Sequence, residues 1–176
     1  RKIKKAGIAA IDTETSDLDP LTSDLVGISV SWGTNQAAYL PVKHRGEEAQ
    51  LYFGDVREVF DPLLSDPKIH WVAHHWNFDY KVLREAHLHP GPISGDTMIA
   101  AYLINPERTG SLRLKDLAVS RLGIQMTQIS ELIGNGDDMI SMASVSVDEC
   151  ARYACQDADV TFQLHEELEK GLQEAS

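Results

Sequence analysis

Cysteine is scarce in this chain of 176 residues: Cys150 and Cys155 are the only two. Five positions apart, they point away from each other on a helix. A disulfide framework is therefore excluded, and the usage suits a reducing compartment such as the cytoplasm. Positive charge is scarce as well. There are 16 Lys and Arg against 27 Asp and Glu, for a net charge of −11 and a pI near 4.9. A protein that grips duplex nucleic acid along its length carries a basic face, and this balance argues against one. An acidic domain still acts on nucleic acid where its acids hold metal ions and its contact is short. Long apolar runs are also missing. None approaches the ~20 residues of a membrane helix, so no spanning segment and no membrane partner are expected. The opening Arg1–Lys5 is basic, but the apolar stretch behind it is short and ends in Asp12. That is not the pattern of a secretory signal.

What is present reads as one domain over residues 1–176, with 43% apolar and 24% charged residues. Ala6–Thr13 is small and β-branched with a polar end, the pattern of a buried strand. Leu25–Trp32 alternates, Gly33-Thr34-Asn35 marks a turn, and Ala37–Val42 returns, which predicts an antiparallel meander. His44–Gln50 is polar and reads as a surface loop. A helix is expected from Asp55, kinked or stopped by Pro62. Then come a strand at Ile69–Ala73, a helix at Asn77–His87 and a last short strand at Ile93–Thr97. Met98–Ile104 and Arg113–Leu122 read as helices, the second ended by Gly123. Gln125–Ser144 is irregular and is the expected mobile segment. Ser146-Val147-Asp148-Glu149 fits a capping box, and Val147, Ala151, Ala154, Ala158, Leu164, Leu168 and Leu172 follow at threes, fours and sixes. Strands first, then strands mixed with helices, predict an α/β fold with a mixed sheet.

Three short stretches carry chemistry. Asp12 and Glu14 end the first strand two positions apart, so their carboxylates share a face. At ~4 Å and an effective dielectric of ~20, such a pair costs about 4 kcal/mol, which something must offset. Tyr153 and Asp157 lie four apart on the last helix and stack on one face. Asp79 sits in the first turn of the helix after the Ile69–Ala73 strand. Taken singly, each also reads as an ordinary solvated acid or a packed phenol. Together, four carboxylates and a phenol make an oxygen-only set, which suits Mg²⁺ or Mn²⁺ rather than zinc. Two such ions about 4 Å apart are a known device for phosphoryl displacement. His74 and His75 are adjacent and lack cysteine partners, so a zinc site there is disfavoured.

Ile11-Asp12-Thr13-Glu14-Thr15, Asn77-x-Asp79 and Tyr153-x-x-x-Asp157 resemble the DEDD exonuclease superfamily, tyrosine subclass. The chain is closer still to the 3′–5′ proofreading exonuclease domains of family A DNA polymerases. Thr15-Ser16-Asp17-Leu18, Leu25–Ser29, Ala38–Val42, Asp96-Thr97-Met98, Asp116-Leu117-Ala118 and Tyr153–Thr161 carry that likeness. The resemblance implies a ribonuclease H-like, five-stranded mixed sheet flanked by helices. It implies that Asp12, Glu14 and Asp157 hold one divalent ion. Asp12 would reach a second, with Asp79 assisting through water, while Tyr153 and Glu14 orient the attacking water.

The implied reaction is hydrolysis of the terminal phosphodiester at a DNA 3′ end, releasing a nucleoside 5′-monophosphate. The implied substrate contacts are Thr13, Leu18, His74, His75, Phe78 and Met142, with Leu18 wedged against the terminal base. His75 stands where the family commonly has Asn, and Met142 where it often has an aromatic. Lys81, Arg84, Arg113 and Lys115 are the phosphate candidates, each also readable as a solvated surface cation. The likeness further implies single-stranded or frayed DNA as partner, a polymerase domain in the same parent chain, and a place at the bacterial nucleoid. The sequence would then be a piece excised from a longer polymerase. A ribonuclease D-like RNA exonuclease and a catalytically silent exonuclease fold are the rival readings; no expected acid is lost here, which counts against the second.

Overall fold

The computed structural model describes residues 1–107 and 110–174. Its centre is a five-stranded mixed sheet in the order β3-β2-β1-β4-β5. β1 (Ile8–Thr15), β2 (Leu25–Ser31) and β3 (Ala37–Pro41) form the antiparallel meander, with Asp12 opposite Ser29 and Glu14 opposite Gly27. The register slips between Glu14 and Thr15, so pairing loosens just where the acids emerge. β4 (His70–Ala73) joins the other side of β1 in parallel, and β5 (Gly95–Asp96) follows it. The last strand is shorter than the Ile93–Thr97 expectation, because its chain turns straight into the next helix.

The two faces of β1 separate the core. Ala9 and Ile11 pack with Trp71, with Val56, Phe60 and Leu64 of α2 (Phe53–Leu64), and with Val82 and Leu83 of α3 (Trp76–Glu85). Pro62 falls in the last turn of α2, which ends two residues later, so the proline closes the helix without breaking its body. Ala10 and Val72 face the other way, onto Phe162 of the long closing helix Val147–Glu174. That helix also buries Val160, Leu164 and Leu168 against Ala101 of α4 (Thr97–Ile104) and against Leu117 and Ala118. Its start is capped as the sequence implies, with one variation. The Glu149 N–H donates to the Ser146 hydroxyl, while the Glu149 carboxylate accepts from that hydroxyl at 2.6 Å and not from the backbone.

Four local differences stand out. Residues Lys2–Ala6 form a short helix, α1, closed by Gly7 at φ 73°, where the sequence suggested only a lead into the strand. The Arg113–Leu122 helix is α5 (Leu114–Leu117) continued by a wider π-type turn over Ala118–Leu122. The 44–50 loop is anchored, since His44 is buried. The irregular 125–144 stretch contains α6 (Ile129–Ile133) and two 3₁₀ turns, and Met126, Met142 and Ala143 are buried. The closing helix Val147–Glu174 is therefore α7.

One carboxylate joins two of these helices. Asp96 accepts from the backbone N–H groups of His75 (3.2 Å) and Trp76 (2.8 Å) at the start of α3, and from Met98 (2.9 Å) and Ile99 (3.3 Å) in α4. These are the donors that a helix start leaves unpaired. They also hold His75 in the left-handed region, at φ 62° and ψ 52°. Replacing Asp96 by Ala removes two caps together. Urea denaturation is expected to show a loss of about 1–4 kcal/mol, twice the usual single-cap range; a loss below about 0.5 kcal/mol would mean that water satisfies these donors.

Candidate active site

The sheet delivers the acids. Ala10, Asp12 and Glu14 share the β1 face turned toward α7, and α7 brings Tyr153 and Asp157 one helical turn apart on its inner side. Asp79 arrives from the opposite face. It sits in the first turn of α3 and is fixed by Thr13, whose N–H (3.0 Å) and hydroxyl (2.7 Å) both donate to its Oδ1. Thr13 thus commits its hydroxyl to an acid. The sequence contained no local sign of this, since the partners are 66 positions apart.

Burial without enough counter-charge shows in the protonation behaviour. Asp12 is pushed well above the usual carboxylate range, first by burial and then by Asp79, Glu14 and Asp157; Lys115 opposes the shift. Glu14 is raised by burial and by Asp157. Burial raises Asp79 to about 7 against the downward pull of the Thr13 bonds, and raises Asp157 to about 6 against Lys115 and Tyr153. The four carboxylates therefore lie within one another's fields.

Lys115 is the cation of this cluster. Its Nζ donates to the Tyr153 hydroxyl at 2.9 Å and to the Thr127 carbonyl, and stands 4.1 Å from the Tyr153 ring centre. The sequence singled out Lys115 only as a phosphate candidate; its placement on Tyr153 depends on the turn of α5 onto α7, which no local pattern announces. With its oxygen accepting from Lys115, the Tyr153 hydroxyl keeps its own proton free to donate, and Asp157 is the neighbour it stabilises.

A cleft of about 370 Å³ opens over this cluster, lined by Asp12, Thr13, Glu14, Leu18, Phe78, Met142, Tyr153 and Asp157. Ile129, Ile133, Met139 and Ile140 complete an aliphatic wall that the sequence did not assign. Leu18 stands 79% exposed at the rim. Ser141 ties the two walls together, its hydroxyl donating to the Ser16 carbonyl at 2.9 Å. Asp79 lies beneath the lining. His74 and His75 do not line this cleft. His74 is bonded to the Thr97 hydroxyl at 2.8 Å, and burial lowers its pKa to about 4, so it is neutral. His75 is exposed at the head of α3. Its left-handed backbone is one that Asn and His tolerate better than most residues, which accounts for either residue at this point.

The donor set fits divalent cations in two respects. It is oxygen only, and Asp157 Oδ1 is buried with no hydrogen-bond partner. Among the described residues, however, no three His, Cys, Asp or Glu side chains form a ready-made metal cluster.

Comparison with known proteins follows the same line. Residues 1–173 match the family model described as 3′-5′ exonuclease. DNA polymerase I of Chloroflexus aurantiacus is 38% identical over 174 residues, covering 98% of this chain and 18% of that protein. DNA polymerase I of Borreliella burgdorferi is 35% identical over 175 residues, with the same coverages. The chain thus spans under a fifth of the length of these relatives. Among solved structures, Brucella melitensis NrnC bound to pGG superposes with a TM-score of 0.72 at 24% identity, over 98% of this chain and 76% of that one. Escherichia coli RNase D gives 0.70 at 18% identity, over 97% and 41%. These two share the fold, a mixed sheet flanked by helices as in ribonuclease H-like exonucleases. On the match over 1–173 and the identity to the two polymerases, the chain belongs to the 3′–5′ exonuclease domain family of DNA polymerase I.

Proposed function

We propose that this exonuclease domain removes nucleotides from single-stranded or frayed DNA 3′ ends, with two divalent cations, as the proofreading unit of a longer polymerase. The observation that carries the reading is the convergence of Asp12, Glu14, Asp79 and Asp157 under a cleft whose edge holds Tyr153, itself held by Lys115. Asp12, Glu14 and Asp157 would hold one Mg²⁺ or Mn²⁺, and Asp12 with Asp79 the second. When bound, such ions neutralise the carboxylates, activate water and stabilise charge on the phosphoryl group and the departing oxygen.

The chain's own residues do the positioning. The Tyr153 hydroxyl accepts from Lys115 and, with Glu14, orients the attacking water. Leu18, Phe78 and Met142 present apolar surface to the terminal nucleotide, a contact that tolerates any base. The cleft volume is at the small end for ligand sites, which suits an unpaired terminus and not a duplex. Mismatched ends fray at lower cost, so selection of errors follows from the unpaired requirement. His75 is free to donate to the substrate backbone, whereas His74 would act through Thr97 and α4. With a net charge of −11, this domain binds DNA weakly by itself, and the rest of the parent chain supplies the grip. A bacterial polymerase works in the cytoplasm at the nucleoid. Among the described residues, no helix is long and apolar enough to cross a membrane.

The fold is shared with a structure named as an exoribonuclease, so RNA is the second reading. Cleavage of single-stranded DNA and RNA of equal sequence separates the two. DNA is expected to be cut faster with 5′-monophosphate release, and faster RNA cleavage would reverse the assignment. Asp12→Ala and Asp157→Ala should each cost on the order of 10³-fold in single-turnover rate, and Tyr153→Phe about 10²-fold, with folding retained. Near-normal rates in both Asp variants would remove the proposed chemistry.

The raised carboxylates set a stability test. Between about pH 4 and pH 7, the metal-free fold binds more protons than the unfolded chain, so these groups lower stability as pH rises through the values near 6 and 7. Asp79→Asn mimics the protonated form. Its melting temperature should equal that of the native chain at pH 5 and exceed it at pH 8 without metal. Mn²⁺ should stabilise the native chain more at pH 8 than at pH 5, because it competes with the same protons. An unchanged difference across pH, or no Mn²⁺ shift, would contradict a cation site here.

A further inference from the structure

Behind the cleft runs a chain of hydrogen bonds that the reading above does not use. Gly27 lies opposite Glu14 in the sheet, and a Cβ there would stand 2.1 Å from the Tyr39 hydroxyl oxygen. The missing side chain lets the Tyr39 ring lie across β2, one strand from Glu14. Tyr39 Oη is 2.8 Å from His44 Nε2 and 3.2 Å from Cys150 Sγ. His44 Nδ1 is 3.0 Å from the Val145 carbonyl. A carbonyl only accepts, so Nδ1 carries a ring proton and donates to Val145; in the tautomer with that single proton, Nε2 accepts from Tyr39. The Tyr39 oxygen then accepts from the Cys150 thiol.

The same loop grips the entry to α7 at further points. Gln50 bonds the His44 backbone on both sides, at 2.6 and 3.0 Å. The Arg45 N–H donates to the Ala143 carbonyl at 2.6 Å, and the Val147 N–H to Glu48 at 2.7 Å. Tyr39 packs into the apolar cluster of Met142, Val145, Cys150 and Tyr153. Cys150 precedes Tyr153 by three positions and shares its helix face.

We propose that Tyr39 and His44 are positioning residues for the exonuclease reaction: through Cys150 and Val145 they fix the first turns of α7, and so place the Tyr153 hydroxyl. This rests on the role given to Tyr153 above. Lys115 holds the Tyr153 oxygen directly, and the Tyr39–His44 pair sets the rotation of the helix that carries it. A displacement of the order of 1 Å at such a group is enough to cost about 10²-fold in rate.

The test is a double-mutant cycle on the full domain, with a single-stranded DNA substrate and Mn²⁺. Tyr39→Phe keeps the ring over Gly27 and deletes the hydroxyl. It is expected to lower kcat about 10-fold with KM changed less than about 2-fold, as for an interaction felt only in the transition state. In a Tyr153→Phe background the same change should cost less than about 2-fold, because its route is already cut. Full kcat in Tyr39→Phe, or the whole loss persisting without the Tyr153 hydroxyl, would overturn the proposal. If Tyr153→Phe alone is harmless, the mechanistic reading beneath it has failed instead, and the proposal with it. Should Tyr39→Phe not fold, the Cys150 pair reads the same link. Cys150→Val is expected to lose kcat and Cys150→Ser, which keeps a donor, to regain most of it; equal rates in the two would overturn the link.

Discussion

The desolvation of Glu14, Asp79, Asp157 and the half-buried Asp12 at one end of a sheet, with mutual repulsion added to it at Asp12 and Glu14, is the constraint around which this molecule is organised. Asp12 and Glu14 are forced onto one face by the strand period, α7 adds Asp157 from above, and α3 adds Asp79 from beneath. Lys115 opposes the rise of Asp12, Glu14 and Asp157, the Tyr153 hydroxyl adds to this at Asp157, and the Thr13 bonds oppose the rise of Asp79. A protein selected only for stability would dilute such a cluster with apolar residues or pair each acid. Here the surroundings hold the acids in place despite the cost: Thr13 fastens Asp79, Asp96 fastens the helix that carries it, and Asp157 Oδ1 is left without a partner. Frustration of this kind, concentrated at one end of a sheet, is the pattern on which the proposed cation site rests.

The scaffold places this strain at the sheet end, where it does least harm. Ala9, Ile11, Trp71 and Ala73 form a dry core with α2 and α3, and Val160, Leu164 and Leu168 form a second with α4. β1 is the central strand: Ile8–Ala10 pair with β4, Ala10–Thr15 pair with β2, and the register slips after Glu14. Asp12 and Glu14 therefore ride on the central strand while their carboxylates reach the end of the sheet.

Much of this was legible in the residues, and the reason differs from place to place. A period of two put Asp12 beside Glu14, and a spacing of four put Tyr153 over Asp157. The Ser146 capping signal placed the start of α7. What stayed hidden depends on distant partners. The bond from Thr13 to Asp79, the hold of Lys115 on Tyr153 and the four backbone donors on Asp96 join segments that share no local pattern. The 125–144 stretch read as mobile because its turns are too short to show periodicity. Its order comes from burying Met126 and Met142 and from Ser141 reaching Ser16. α1 does carry a usable local signal, Lys4 and Lys5 in its last turn with Gly7 just past Ala6, the composition of a helix end.

Because a single side chain at position 96 closes the beginnings of both α3 and α4, neither helix can fray independently of the other. Amides near 76–79 and near 98–101 would then exchange with solvent as one cooperative unit, although a strand, a turn and a long loop separate them along the chain. Loosening on the far side of β5 would register at an acid on the near side. The short fifth strand thus acts less as an edge of the sheet than as the latch between two halves of the domain.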